Sequence, residues 1–125
     1  MKRFLLVIIA MLSALGLYSF KYNASSADEV KTSYISFYHD KFNGRKTASG
    51  EVFSNSKLTA AHRILPFGTK VRLTNPKNEK SVVVTINDRG PFHSSRVMDV
   101  SRAAYVAIGN AASGSMPVEY SVVQE

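Results

Sequence analysis

Apolar and polar residues alternate in short runs over most of the chain. "YISFY" at 34–38 is aromatic and β-branched and predicts a strand. "KVRLTN" at 70–75 alternates, with Val71 and Leu73 on one face, and "SVVVTIN" at 81–87 is the clearest strand. The near-continuous apolar character of 81–87 predicts burial on both faces. Between these two runs, "PKNEK" at 76–80 reads as a hairpin connection. "PVEYSVV" at 117–123 alternates again and predicts Val118, Tyr120 and Val122 inward. Helical spacing appears after Ser101, a good N-cap for "RAAYVAI", with Gly109 as the C′ residue and Ala104, Ala107 and Ile108 as a small apolar face. "KLTAAH" at 57–62 predicts a single helical turn, ended by "LPFGT" at 65–69. Residues 39–51 read as a long loop and 28–33 as a frayed lead-in. Short strands with one short helix predict a mainly β fold, a small barrel.

The first residues follow a different pattern. "MKR" is basic, "FLLVIIAMLSALGL" is an apolar run of 14 residues, and "YSFKYNASSA" is polar and ends in small residues. This is the order of a secretory signal peptide, with Ser25 and Ala27 placed for a cut before Asp28. The run is short of the roughly 20 residues a spanning helix needs. The expected organisation is a signal peptide over 1–27 and one domain over 28–125, with an uncleaved anchor as the alternative. An exported location, in the periplasm or cell envelope, follows.

Composition narrows the chemistry. Removing 27 of 125 residues leaves 98, enough for one compact core. Lys2, Arg3 and Lys21 leave with the leader, so the net charge falls from +7 to +4. A modest basic excess suits an anionic polymer, although solubility alone also explains it. There is no long basic run, so nucleic acid has little support as a partner. The chain has no cysteine, which excludes a disulfide scaffold, a thiolate nucleophile and an acylated-cysteine lipid anchor.

"TINDRGPF" at 85–92 passes from strand into turn and carries Asp88 at the junction. Four groups recur beside glycines or turn formers: Glu51 after "TASG", His62 ending "LTAAH", Asp88 in "NDRGP" and Asp99 in "RVMDVS". A loop carboxylate is ordinarily just solvated, Asp99 could serve the helix N-terminus, and His62 could be a packed histidine. Asp88 and Asp99, however, bracket a turn-rich excursion, "RGPFHSSRVM". Should it fold back, both carboxylates would face one cleft, where two acids push one toward the protonated form. Arg89 and Arg96 in the same excursion would oppose that shift or grip substrate. Tyr34, Phe37, Tyr38, Phe42, Phe53, Phe67 and Phe92 could offer stacking faces for sugar rings, though most are expected in the core. His39, His62 and His93 lack the spacing of a helical zinc motif, so no metal is expected. There is no G-x-S-x-G elbow and no Gly-rich phosphate loop.

Taken together, "FYHDKFNGRKTASGEVF", "LTAAHRILPFGTKVRLTN", "VVVTINDRGPF" and "RVMDVSRAAYVAIG" resemble the rare lipoprotein A family, in family order and over about residues 35–123. The resemblance implies a six-stranded double-psi β-barrel with one or two short helices. It also implies an endolytic lytic transglycosylase acting on peptidoglycan glycan strands, with a preference for strands lacking stem peptides. Matched by position, the family's important polar residues fall on Glu51, His62 and Asp88, while the wider superfamily points to Asp99. Tyr38-His39 stands where the family has tyrosine-glycine, which bears on the first loop.

Lytic cleavage requires one carboxylic acid and the sugar's own 6-hydroxyl, so no water has to be placed and a second carboxylate is optional. Asp88 is the expected proton donor and Asp99 its competitor. Glu51 and His62 would orient the acid or hold substrate, and Asn87, Arg89, Arg96 and Tyr38 would bind sugar. No metal or organic cofactor is expected, and a monomer is. Two other readings stay open. One is an expansin-like module that binds wall polysaccharide without cutting. The other is an inverting glycosidase with its carboxylates about 6.5–9.5 Å apart.

Overall fold

The computed structural model describes residues 29–92 and 95–124. The expected leader over 1–27 and His93 lie outside the described residues. Six strands close into a barrel: β1 (Lys31–Phe37), β2 (Thr59–Ala61), β3 (Lys70–Thr74), β4 (Ser81–Asp88), β5 (Arg96–Val100) and β6 (Ser115–Val122). Around the barrel they run β1-β5-β2-β4-β3-β6. Two pairs, β1 with β5 and β2 with β4, are parallel, and the other four are antiparallel. This is the double-psi barrel that the family resemblance implied. One α-helix, α1 (Arg102–Ile108), and two single 3₁₀ turns at Asp40–Phe42 and Ala111–Ser113 complete the described elements.

The interior is filled by one face of each strand. Ile35, Val71, Leu73, Val84, Ile86, Met98 and Val100 are fully buried, with Val118 beside them. The expected inward set on β6 holds fully only for Val118; Tyr120 and Val122 are half-buried. On β4, Val84 and Ile86 are buried and Val83 and Thr85 half-buried, so the strand has a core face and a partly covered face rather than two dry ones.

Helix α1 caps the core. Ser101 has an extended backbone and its side chain accepts from the Ala104 N–H, as its position before the apolar run predicted. The buried face is Ala104, Tyr105 and Ile108, whereas Ala107 is exposed; the aromatic ring, not the third alanine, docks on the sheet, against Phe37 at 4.7 Å. The helix does not end in a left-handed residue. Gly109 is extended, and Asn75 and Asn78 supply the cap by donating side-chain N–H groups to the Ile108 carbonyl. The end of the Met116 side chain lies where a Cβ at 109 would stand, so a larger residue there would have to displace it.

Three further expectations are corrected. "LTAAH" forms strand β2, not a helical turn, because open backbone edges of β4 and β5 lie on both sides of it and override its helical propensity. "RVMDV" is a strand too; the charged residues in it disguised the pattern. The frayed lead-in shortens to 29–30, since Lys31–Ser33 pair with Val118–Tyr120. Of the seven aromatics named above, only Phe53 is buried, while Tyr34, Phe67 and Phe92 are exposed.

Buried Asn55 ties the helix to the first loop. Its side chain donates to the Tyr38 carbonyl at 3.1 Å and to Asp40 at 2.8 Å, and accepts from the Arg102 N–H at 2.8 Å. Asn55→Ala should cost about 1–3 kcal/mol, because the Tyr38 carbonyl, the Asp40 carboxylate and the Arg102 N–H all lose their shared partner. Ser101→Ala, which removes one cap bond, should cost about 1 kcal/mol. Urea unfolding of the two variants checks the order.

Candidate active site

One row of residues crosses four neighbouring strands. Ser36 on β1 is in register with Asp99 on β5, Asp99 with Ala61 on β2, and Ala61 with Asp88 on β4. The last pairing depends on a bulge: Ala60 pairs with Ile86 but Ala61 with Asp88, so Asn87 is the extra residue. A bulge of this kind re-aims the residue that follows it. With strands about 4.8 Å apart, the Cα atoms of the two aspartates stand roughly 10 Å apart across the alanine methyl. Ser36, Ala61, Asp88 and Asp99 all line one cavity of about 800 Å³, a size typical of ligand clefts.

The two carboxylates are held differently. Asp88 Oδ1 accepts from the backbone N–H groups of Ala48 and Arg89, both at 2.9 Å, and Oδ2 accepts from the Tyr38 hydroxyl at 2.6 Å. Asp99 Oδ1 accepts from the Ser36 hydroxyl at 2.6 Å and from Arg96 Nε at 3.0 Å, so its charge is matched by a guanidinium. Among the described residues Asp88 has no ion-pair partner.

Tyr38 is built into this arrangement. Its ring stacks on Phe53 at 4.3 Å and meets Phe42 edge-on at 5.8 Å. Burial, then its hydrogen bond to Asp88, then the charges of Asp88 and Asp99 raise the phenol far above its usual value. It therefore remains a neutral donor to Asp88. The segment 44–53 doubles back as a small hairpin: Phe53 N–H bonds the Arg45 carbonyl at 2.7 Å, and Thr47 N–H bonds the Glu51 carbonyl at 2.8 Å. At its tip Ala48 holds Asp88, and Ser49 N–H takes the carbonyl of the bulged Asn87 at 3.2 Å.

The other residues singled out in the sequence fall into distinct places. Arg89 and Arg96 line the cavity along with Tyr38. Arg89 also clamps the 62–67 loop, donating to the carbonyls of His62 and Leu65 and lying 4.0 Å from the Phe67 ring centre. Asn87 is buried and does not line the cavity, in contrast to the sugar-binding role expected for it; the bulge turns it away. Glu51 is exposed on the hairpin and outside the cavity wall, next to Ser49. His62 is also outside that wall. Its N–H bonds the Asp88 carbonyl at 3.2 Å, and its Nδ1 accepts from the N–H groups of Ile64 and Leu65. Two donors at Nδ1 fix the neutral tautomer with the proton on Nε2. Sequence reasoning missed Ser36, Ala48 and Ala61. A backbone N–H and an alanine methyl carry no residue-type signal, and Ser36 has meaning only once its register is known. Among the described residues no three histidine or acidic side chains converge as a metal site would require.

Two measurements follow. Tyr38→Phe keeps the stack and removes the donor to a carboxylate, so it should cost about 1.5–3 kcal/mol in chemical denaturation. His62 behaves oppositely to a paired histidine. Burial, followed by the charges of Arg63, Arg89 and Lys31, lowers its pKa from 6.5. The unfolded chain takes up this proton first. Stability should thus fall as pH drops below about 6.5 and level off once the folded imidazole also titrates. His62→Asn keeps an acceptor near Nδ1 without titrating, and its melting temperature should lack that component between pH 7 and 5.

A relative from Synechocystis sp., "Probable endolytic peptidoglycan transglycosylase RlpA", is 50% identical over 81% of this chain and 32% of its own length. A second, of the same name from Treponema pallidum, is 58% identical over 63% of this chain and 25% of its own. The chain thus spans about a third or less of these relatives. Among solved structures, an aspartate-to-asparagine mutant of Clavibacter michiganensis expansin in complex with cellohexaose aligns with a TM-score of 0.63 and 18% identity. That alignment covers 77% of this chain and 51% of the expansin, and shows a shared fold. The family model described as "Lytic transglycolase" matches residues 30–120, and the chain belongs to that family.

Proposed function

We propose that the chain is an endolytic lytic transglycosylase that cuts the glycan strands of peptidoglycan. The observation that carries this reading is the pair of differently held carboxylates, Asp88 and Asp99, flanking Ala61 on the floor of one open cleft. The names of the relatives supply the polymer.

Asp88, which has no ion-pair partner among the described residues, is assigned the proton. It protonates the glycosidic oxygen as the bond to the anomeric carbon breaks. The sugar's 6-hydroxyl then attacks that carbon, and its proton returns to Asp88, which acts as base. No water is consumed, and the product ends in 1,6-anhydro-N-acetylmuramic acid. Asp99, paired with Arg96, faces the positive charge that develops on the ring. Tyr38 and the Ala48 N–H fix the plane of the Asp88 carboxyl, while Glu51 and His62 act on the hairpin and the loop that frame it. Phe92, 94% exposed at the cavity, offers a stacking face for a sugar ring. The reaction uses neither metal nor organic cofactor. The protein works as a monomer in the cell envelope after loss of residues 1–27, on strands lacking stem peptides.

Asp88→Asn should reduce cleavage by about 10²–10⁴ with the fold intact. Mass spectrometry of fragments from purified strands should find termini one water lighter than hydrolysis gives. Full activity in Asp88→Asn with none in Asp99→Asn would move the proton to Asp99. Reducing ends would indicate a glycosidase using water, and binding without fragments an expansin-like module.

A further inference from the structure

The cavity wall carries five cations, Lys41, Arg45, Lys46, Arg89 and Arg96, against two acids, Asp88 and Asp99. Two of the five are engaged: Arg96 pairs with Asp99, and Arg89 donates to carbonyls and covers Phe67. Lys41, Arg45 and Lys46 are exposed, and among the described residues none is paired with a carboxylate. Lys41 and Arg45 nonetheless share one aromatic ring, and Lys46 lines the same wall. Lys41 Nζ is 5.3 Å and Arg45 Cζ 5.6 Å from the centre of the same Phe42 ring. Like charges gathered without counter-charges repel one another, and an anion relieves that repulsion.

The array is also held by the backbone. Arg45 accepts from the Phe53 N–H, Lys46 is bridged to Val52, and Gly44 N–H bonds the Phe53 carbonyl at 2.9 Å. Phe53 stacks on Tyr38, and the same hairpin reaches Asp88 through Ala48. An anion bound on this arm is therefore placed at a set distance from the acid.

We infer that Lys41, Arg45 and Lys46 form a carboxylate-reading subsite that selects glycan strands bearing a free acid on the sugar beside the cut. The inference rests on the glycan-cleaving reading above and deepens it. In peptidoglycan, the lactyl group of muramic acid is a carboxylate when no peptide is attached and a neutral amide when one is. The arm thereby gives a physical cause for preferring stripped strands. A phosphodiester chain is the other polyanion such an arm could hold, and the test below distinguishes the two.

The test compares strands with free lactyl carboxylates and the same strands capped as methylamides. The wild-type chain should favour the free acid about tenfold, through KM, since exposed pairs are individually weak and three act together. Salt at about 0.5 M should shrink that ratio. In Lys41→Gln/Arg45→Gln/Lys46→Gln the ratio should fall toward one, and Lys41→Gln or Arg45→Gln alone should lower it partway. A triple variant that melts like wild type and keeps the full ratio would overturn the subsite, as would a wild-type chain blind to the capping. If wild type cuts neither strand, the catalytic proposal fails by itself; affinity electrophoresis then still decides, the subsite standing only if free-acid strands bind tighter and the triple variant loses the difference. Duplex DNA binding lost in the triple variant, with no preference between the two strands, would overturn the carboxylate assignment.

Discussion

Ala61 has strand partners on both sides, and each is an aspartate: Asp99 across the antiparallel edge and Asp88 across the parallel one. The site depends on that register. Side chains alternate faces along a strand, so a slip of one residue in β2 would remove one carboxylate from the row. Strand β2 is only three residues long and cannot hold such a register by itself. It is held from outside, by Thr85 N–H on the Leu58 carbonyl before it, His62 N–H on the Asp88 carbonyl after it, and Ser101 N–H on the Thr59 carbonyl from the helix cap. Small side chains matter here as well, because a larger residue than alanine at 61 would occupy the space between the two acids.

The bulge at Asn87 links this register to the loops. It lets β4 present Asp88 opposite Ala61, and it frees the Asn87 carbonyl to accept from Ser49 at the hairpin tip. Asp88 is thus a node where β4, the first loop through Tyr38 and the hairpin through Ala48 meet. A partly buried carboxylate needs such donors to offset its lost hydration. Its hydrogen bonds do two things at once: they stabilise the acid and they order the loops that wall the cleft. Loss of any one donor should be felt in both stability and alignment, since hydrogen bonds in such a network reinforce one another.

Much of this could be read in the sequence, and what could not shares one cause. Strands β1, β3, β4 and β6 and helix α1 were visible because each carries its own periodicity, cap or turn residues. Asp88 and Asp99 stood out as acids bracketing a turn-rich segment. β2 and β5 were not visible, because their state is set by partners distant in the chain. "LTAAH" has ordinary helical propensity and becomes a strand only between β4 and β5. Gly109 looked like a left-handed helix end but is small to admit Met116. Asn87 looked like a presented amide until the bulge put it inside. Ser36 and the Ala48 N–H act only through contacts made across the barrel.

The placement of charge separates this cleft from a surface that merely attracts an acidic polymer. A uniform basic patch would hold a polyanion at any point along it, because point charges at the surface discriminate little. Here the cations without a carboxylate partner among the described residues lie on the hairpin side, while the floor carries two acids, one paired with Arg96 and one held by hydrogen-bond donors. On the proposed reading, a carboxylate-bearing strand is drawn toward the hairpin side. Positive charge thus lies on one side of the cleft, and the floor holds an acid that lacks a cationic partner among the described residues.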